Sequence, residues 1–519
     1  MRDSGKTKSR TGNVPQPQSA IVQARHELDE AERLRQAKKL QRARAVCSSL
    51  LKRQPDYVGA TYTMGLILAD MQDYRGALGY LVQAAMENPR DWRVQTALAG
   101  VYVRLEATEM AARTLEQAIA LRPDDPAILI TLGEILREDE EYEQAAAAFR
   151  HALAVEPDIR EGLIGLGLCL NHLGEPAEAG ACFEKVLARS EPNLALFYNL
   201  SQLPSSVTSI DLLDLMDRYE AGLGGTSPED KASLLLTRAA ALQKKGAHEK
   251  AWALMVQGNE LLAPLREADY LANKAHRDNF ISLAEKTPAG KIRKREPDPD
   301  SPLSLFILGT SRSGKTTVEK IVGHIPGIKR GYESAILENA VANTFQFAGY
   351  LTRRQFVQLP PDLNDICRRY YLDDIRRRSE GSAVLTNTLP GRIEDVGRIY
   401  SEIPNAKFVF VKRNTEDAAL RLFMRNYRKG NYYAYRLDNI FEYMNWYRAL
   451  IDKYQELFTD DCITVAYESV IEDPAAIARQ VADLCGLNAD GVALALPGDD
   501  RNCSAPYREF MAEALRQPD

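Results

Sequence analysis

The strongest constraint on this chain is a period. Pro55, Pro89, Pro123 and Pro157 stand 34 positions apart, Gly65, Ala99, Gly133 and Gly167 keep the same spacing, and so do Ala43, Ala77, Ala111, Ala145 and Ala179. Self-similarity at a fixed interval of this size means one supersecondary unit stacked on copies of itself. A proline closing each unit ends a helix, because it lacks the N–H that would continue the ladder. Small residues at two fixed positions let two helices approach closely, and Leu81, Leu115, Phe149 and Phe183 fill the space between them. The spacing predicts five paired-helix units, over 24–57, 58–91, 92–125, 126–159 and 160–193.

Beyond Pro192 the period weakens, but Ala239 and Ala251 are twelve apart, as Gly65 and Ala77 are, and this predicts a degenerate sixth unit near 232–265 that caps the stack. Residues 1–20 are polar and without apolar period, so they read as a disordered start. Residues 286–302, KTPAGKIRKREPDPDSP, read as a linker, which assigns 21–285 to the repeat domain and 303–519 to a second domain. A chain of 519 residues is expected to need more than one core.

The second domain opens with LSLFILGTSRSGKTTVEKIV, Leu303 to Val322. An apolar run of strand length stops at Gly309, turn residues follow to Gly314, and helix pattern resumes at Lys315. A glycine-rich turn between a buried strand and a helix N-terminus gathers backbone N–H groups around an anion, so this loop is expected to hold a phosphate or a sulfate group. Further strands are predicted at Ala383–Thr386, Lys407–Lys412 and Cys462–Ala466, between helical segments. That alternation implies an α/β domain with a mainly parallel sheet, whose ligands lie at the carboxyl ends of the strands. Gly309 to Lys315 and Arg413 both fall at such ends.

The repeats resemble tetratricopeptide repeats (TPRs). By that resemblance a concave surface, carrying Tyr62, Arg93, Arg104, Glu134, Arg137, Glu138, Glu161, Asn171 and His172, binds a protein or peptide partner. A purely structural arm is the alternative. In the second domain two families fit the loop. Gly309 to Thr316 satisfies GxxxxGK[ST], in which Lys315 reaches phosphates and Thr316 holds Mg²⁺. Gly309, Arg312, Ser313, Gly314, Thr316, Glu319, Lys320 and Ile321 resemble the 5′-phosphosulfate loop of sulfotransferases.

The sulfotransferase resemblance extends to Pro404–Tyr427, which is similar to that family's 3′-phosphate segment at Pro404, Asn405, Ala406, Lys407, Phe408, Arg413, Asp417 and Phe423. Asn414 and Thr415 replace its Asp-Pro, and Arg421 replaces its phosphate-binding Ser. Tyr467, Glu468, Asp473 and Pro474 resemble its YExLxxDP and are expected to be structural. The resemblance implies 3′-phosphoadenosine 5′-phosphosulfate (PAPS) as co-substrate. Gly309, Thr310, Ser311, Arg312, Ser313, Gly314, Lys315, Thr316 and Thr317 would hold its 5′-phosphosulfate, with Arg413 and Arg421 at the 3′-phosphate. Arg312 and Lys315 would also act on the sulfuryl oxygens. Glu333 would be the base, with His324 as its rival, since HIPGIKRGYES resembles a segment where related transferases carry a catalytic Glu. Arg501 and Arg508 are weaker additions to the nucleotide site.

The strands predicted after the loop end in Thr386-Asn387, Lys412-Arg413 and Ala466-Tyr467, with no Asp to hold Mg²⁺ as an NTPase or kinase requires. A PAPS-dependent sulfotransferase is therefore the first reading; a non-catalytic TPR scaffold and a P-loop NTPase remain the alternatives. A net charge of −6 gives no reason to expect bulk nucleic-acid binding, and the basic, aromatic stretch Arg425–Arg436 is expected to be amphipathic helix and loop surface rather than a base-stacking site. Seven scattered cysteines without a C-x-x-C pair read as thiols in a reducing compartment. No His/Cys/Asp spacing suggests a metal, and no apolar run suggests a membrane span or signal peptide, so a cytoplasmic protein is expected. The repeat array is expected to take no part in donor binding, so that a fragment beginning near Ser301 would keep the nucleotide site if that domain folds alone.

Overall fold

In the computed structural model the described residues are 18–516, apart from 106, 139, 209, 221–226, 286–291, 349–355, 357–358, 389, 428–429 and 493–498. The chain divides into two compact units, 1–169 and 170–519.

The first unit is built of helical hairpins. Helices α1 (Gln18–Gln36) and α2 (Leu40–Arg53) pair, followed by α3 (Val58–Asp70) with α4 (Tyr74–Glu87), α5 (Trp92–Arg104) with α6 (Thr108–Leu121), and α7 (Pro126–Glu138) with α8 (Tyr142–Val155). The fifth copy of the period crosses the boundary, with α9 (Arg160–Leu173) spanning it and α10 (Pro176–Leu187) in the second unit. The small residues act as the spacing predicts. A Cβ on Gly65 would stand 2.6 Å from Leu81, and one on Gly133 would stand 2.8 Å from the Phe149 ring. In these two hairpins the first helix gives up a side chain so that the second can press a large one against its backbone.

In the second unit α11 (Leu194–Gln202), α12 (Leu212–Glu220), α13 (Pro228–Lys244) and α14 (His248–Glu285) precede the sheet. Helices α13 and α14 form the hairpin expected near 232–265, with Ala239 and Ala251 buried. The sheet contains β1 (Leu303–Leu308), β2 (Ile328–Lys329), β3 (Val384–Asn387), β4 (Ala406–Lys412) and β5 (Cys462–Ala466), ordered β2-β3-β1-β4-β5 with every described pair parallel. Helix α15 (Lys315–Val322) follows β1, and α16 (Ile336–Phe347), α17 (Asn364–Ser379), α18 (Val396–Glu402), α19 (Thr415–Phe423), α20 (Leu437–Leu457), α21 (Tyr467–Glu472), α22 (Pro474–Cys485) and α23 (Arg508–Ala514) complete the domain.

Alternation along the strands makes two cores. Phe306, Leu308, Phe408 and Phe410 face α16, α17, α18 and α20, while Leu305, Ile307, Val409 and Val411 face α15 and α22. Strands buried on both faces read as continuous apolar runs, which is why β1 and β4 were plain in the sequence.

A third core joins α13 and α14 to the sheet domain. Leu236, Trp252, Met255, Leu262 and Tyr270 pack with Ala418, Phe423, Tyr433, Tyr435, Tyr507 and Met511. Asn259 Nδ2 donates to the Phe423 carbonyl at 2.7 Å. A fragment beginning near Ser301 would lack the α13 and α14 wall of this core, which bears on the condition that the domain folds alone. Ahead of β1, Ile292 packs on the sheet core, Arg295 N bonds Tyr400 O at 3.1 Å and Lys294 meets Asp461 at 2.6 Å. The described end of the expected linker is therefore laid against the domain.

Candidate functional site

The loop after β1 turns sharply into a helix. Arg312 (φ 68°) and Gly314 (φ 99°) both adopt left-handed backbone just before α15, Ser313 N closes the turn on Thr310 O at 3.1 Å, and the N-terminus of a helix favours an anion. The walls of the loop are close. A Cβ on Gly309 would lie 2.6 Å from the Val411 carbonyl oxygen, and one on Gly314 would lie 2.1 Å from the Tyr467 ring. Thr310, Ser313 and Lys315 are buried, Ser311 and Thr317 are half-buried, and Thr316 is exposed. Ser313 Oγ is buried with no hydrogen-bond partner among the described residues.

Lys315 folds back so that Nζ donates to the Thr310 carbonyl at 3.2 Å. Burial pushes its pKa down to about 8; Glu333 opposes that shift and Arg312 adds to it. Burial also works against the Arg312 charge, but Tyr427, Tyr198 and Glu333 outweigh it. Glu333 is exposed and acts on both loop cations. His324 is tied to its own helix, Nδ1 to Lys320 O at 2.7 Å, beyond the far end of α15.

The segment carrying Glu333 is held by a buried carboxylate. Glu319, 0% exposed, accepts hydrogen bonds from Tyr332 N at 2.9 Å and from the Thr386 hydroxyl, and Arg330 lies 3.6 Å away. Thr386 Oγ1 in turn accepts from Gly331 N at 2.9 Å. Burial raises the Glu319 pKa, opposed by Arg330, Thr386 and the Tyr332 amide.

Arg413 stands beside the loop, since β4 neighbours β1. Its Nη1 donates to the Arg312 carbonyl at 3.4 Å, and its guanidinium lies 4.2 Å over the Tyr467 ring. Its charge is met by Asp500: Nη2 is 3.1 Å from Oδ1 and donates to the Asp500 carbonyl at 2.8 Å. Arg421 pairs with the other carboxylate oxygen, and the Tyr467 hydroxyl donates to Oδ1. Arg413 and Arg421 are thus brought together, through a carboxylate.

Other candidates lie elsewhere. Arg501 is engaged by Asp499 and Glu472, and Arg508 by Glu416. The stretch 425–436 is not amphipathic helix and surface. Its described residues form an irregular segment whose Tyr433 and Tyr435 are buried, Tyr433 stacking on Tyr443 of α20 at 3.7 Å. The segment reaches the loop through Asn431, which accepts from Ser311 Oγ at 3.0 Å.

Residues that sequence reasoning left out of the site complete the cleft. Arg425 Nη1 donates to the Tyr198 hydroxyl of α11 at 2.7 Å, and burial, with Arg312 nearby, pushes its pKa down. Tyr467 belongs to the motif expected to be structural and Arg425 opens the stretch 425–436, whereas Asp500 and Tyr198 come from separate elements that no local motif marks.

A sulfotransferase family model matches residues 302–491, and tetratricopeptide-repeat models match 68–135 and 130–193. An uncharacterized protein of Aquifex aeolicus is 24% identical over 255 residues, 47% of this chain, and the match spans 33% of that protein's length. Among solved structures, YrrB, described as a TPR protein with an unusual peptide-binding site, is 19% identical at a TM-score of 0.31, covering 34% of this chain and 94% of its own. MamA from Desulfovibrio magneticus RS-1 is 20% identical at a TM-score of 0.30, covering 32% and 93%. The chain thus joins tetratricopeptide repeats to a domain of the sulfotransferase family.

Proposed function

We propose that residues 303–519 transfer a sulfuryl group from PAPS to an acceptor hydroxyl. The observation that carries this reading is the junction of Arg413 with the Arg312 carbonyl, which sets a second cationic pocket directly beside the anion loop. An NTPase needs an Asp at a strand end to hold Mg²⁺, whereas β3 ends at Asn387, β4 at Lys412 and β5 at Ala466. The loop amides with Ser313 and Thr316 fit the 5′-phosphosulfate, and the pocket of Arg413 and Arg421 fits the 3′-phosphate. The donor supplies the activated sulfuryl group; the chain's residues hold it and manage one proton. Arg312 and Lys315 place positive charge where the sulfuryl oxygens and the leaving phosphate would lie. Glu333, near both, takes the acceptor's proton as its oxygen attacks. The repeat array binds a protein partner or presents the acceptor, the usual use of a concave stack of this kind.

Glu333→Gln keeps the shape and removes the base. Turnover, read as transfer of radiolabelled sulfuryl from PAPS to a panel of hydroxyl-bearing peptides, sugars and phenols, should fall about a hundredfold with donor affinity unchanged. Near-normal turnover where chemistry limits the rate would move the role to another group.

A further inference from the structure

Asp500 is the shared counterion of two arginines. It sits between Arg413 and Arg421 and also takes the Tyr467 hydroxyl, so three donors converge on one carboxylate. Three donors, two of them cationic, converging from different elements make the coordination shell of a bound phosphate. Arg413 is 2% exposed, whereas Arg421 and Asp500 are 32% and 33% exposed. The Arg413 end of the cluster is buried and the Arg421 and Asp500 end is partly exposed, so an anion entering from solvent meets the Asp500 carboxylate, whose backbone carbonyl Arg413 also holds.

The turn is built for that movement. Asp417 accepts from Asn502 N at 2.8 Å and from Ser504 N at 2.9 Å and Oγ at 2.6 Å, which bolts the far side of the turn to α19. Arg501 is clamped to Asp499 and Glu472 on the outside. What holds Asp500 inward is its set of contacts with Arg413, Arg421 and Tyr467.

We propose that Asp500 is a built-in occupant of the 3′-phosphate pocket, displaced when a 3′-phosphorylated nucleotide binds and returning to expel the 3′-phosphate when the product leaves. This rests on reading the cleft as a site for such a nucleotide. Two consequences follow from charge alone. The carboxylate competes with a 3′-phosphate for the same donors and does not touch the 5′ end, so it lowers affinity for 3′-phosphorylated nucleotides selectively. It also offers both arginines a partner when the pocket empties, which lowers the cost of releasing the doubly charged 3′-phosphate.

Calorimetry with adenosine 3′,5′-bisphosphate and with adenosine 5′-phosphate on the full chain separates the possibilities. Asp500→Asn, and independently Asp500→Ser, should tighten the bisphosphate about tenfold or more and leave the monophosphate within about twofold. In the unaltered protein, hydrogen exchange at 499–501 should quicken with the bisphosphate and not with the monophosphate. If wild type prefers the bisphosphate but neither variant tightens it and exchange at 499–501 does not respond, Asp500 is a structural counterion and the inference fails alone. If neither wild type nor the variants distinguish the two nucleotides, the nucleotide reading fails with it.

Discussion

Lys315 carries the clearest electrostatic prediction. Its native pKa is pushed below that of an unfolded lysine, to about 8, chiefly by burial. Between pH 8 and the unfolded value the unfolded chain therefore binds more protons than the native one, so this residue's destabilising effect is full below pH 8 and is relieved as pH rises. Binding runs the other way, because an anion in the loop favours the charged form. Nucleotide affinity should hold steady to about pH 7.5 and then decline over the next two pH units, and Lys315→Met should bind more weakly and lose that decline. A wild-type affinity that is flat across this range, measured by calorimetry in buffers matched for ionic strength, places Lys315 away from the ligand. The loop residues were legible because they are contiguous and their chemistry is local. Asp500 was not: nothing in DRNCSAPYREF shows that its carboxylate meets Arg413 and Arg421, a meeting made only when 499–504 folds onto α19.

At the scale of elements, the loop and α15 depend on one backbone position. Gly314 is left-handed at φ 99°, and a Cβ there would stand 2.1 Å from the Tyr467 ring. Gly314→Ala therefore meets both backbone strain and a ring that itself carries Arg413. We expect a loss of about 2–4 kcal/mol of stability, read by denaturant unfolding, together with weaker nucleotide binding. Unchanged stability would mean that the loop tolerates a different turn. The strands were found within a residue at each end, since apolar runs closed by glycine or charge leave little freedom. The two-residue β2 was missed because Ile328–Lys329 is too short to show any period, and it pairs only because Val384 and Leu385 of β3 lie alongside. The segment 425–436 was misread because mixed basic and aromatic residues look the same on a surface helix as in an irregular segment; Tyr433 and Tyr435 are buried with residues of α14 and α20, which sequence reasoning could not place beside them.

On the scale of the whole molecule, the helices before the sheet are part of the domain that follows. Trp252 packs 5.5 Å from Phe423 and 6.1 Å from Phe510, His248 bonds the Tyr507 hydroxyl at 3.1 Å, and Tyr198 reaches the cleft through Arg425. A fragment starting near Ser301 exposes that core face, so it should aggregate or melt without cooperativity, while one starting at Arg160 should keep a single cooperative transition. A monomeric Ser301 fragment with a sharp thermal transition would show that the shared core is dispensable. The repeat period made the array legible from small residues alone, but periodicity says nothing about which later helices join which core. The central claim, that the cleft serves a sulfuryl donor with a 3′-phosphate, is tested most directly by calorimetry of the full chain against adenosine 3′,5′-bisphosphate and against ATP with Mg²⁺. The expected result is saturable binding of the bisphosphate and none of the metal–nucleotide complex; binding of ATP with Mg²⁺ alone, or of neither, would contradict it.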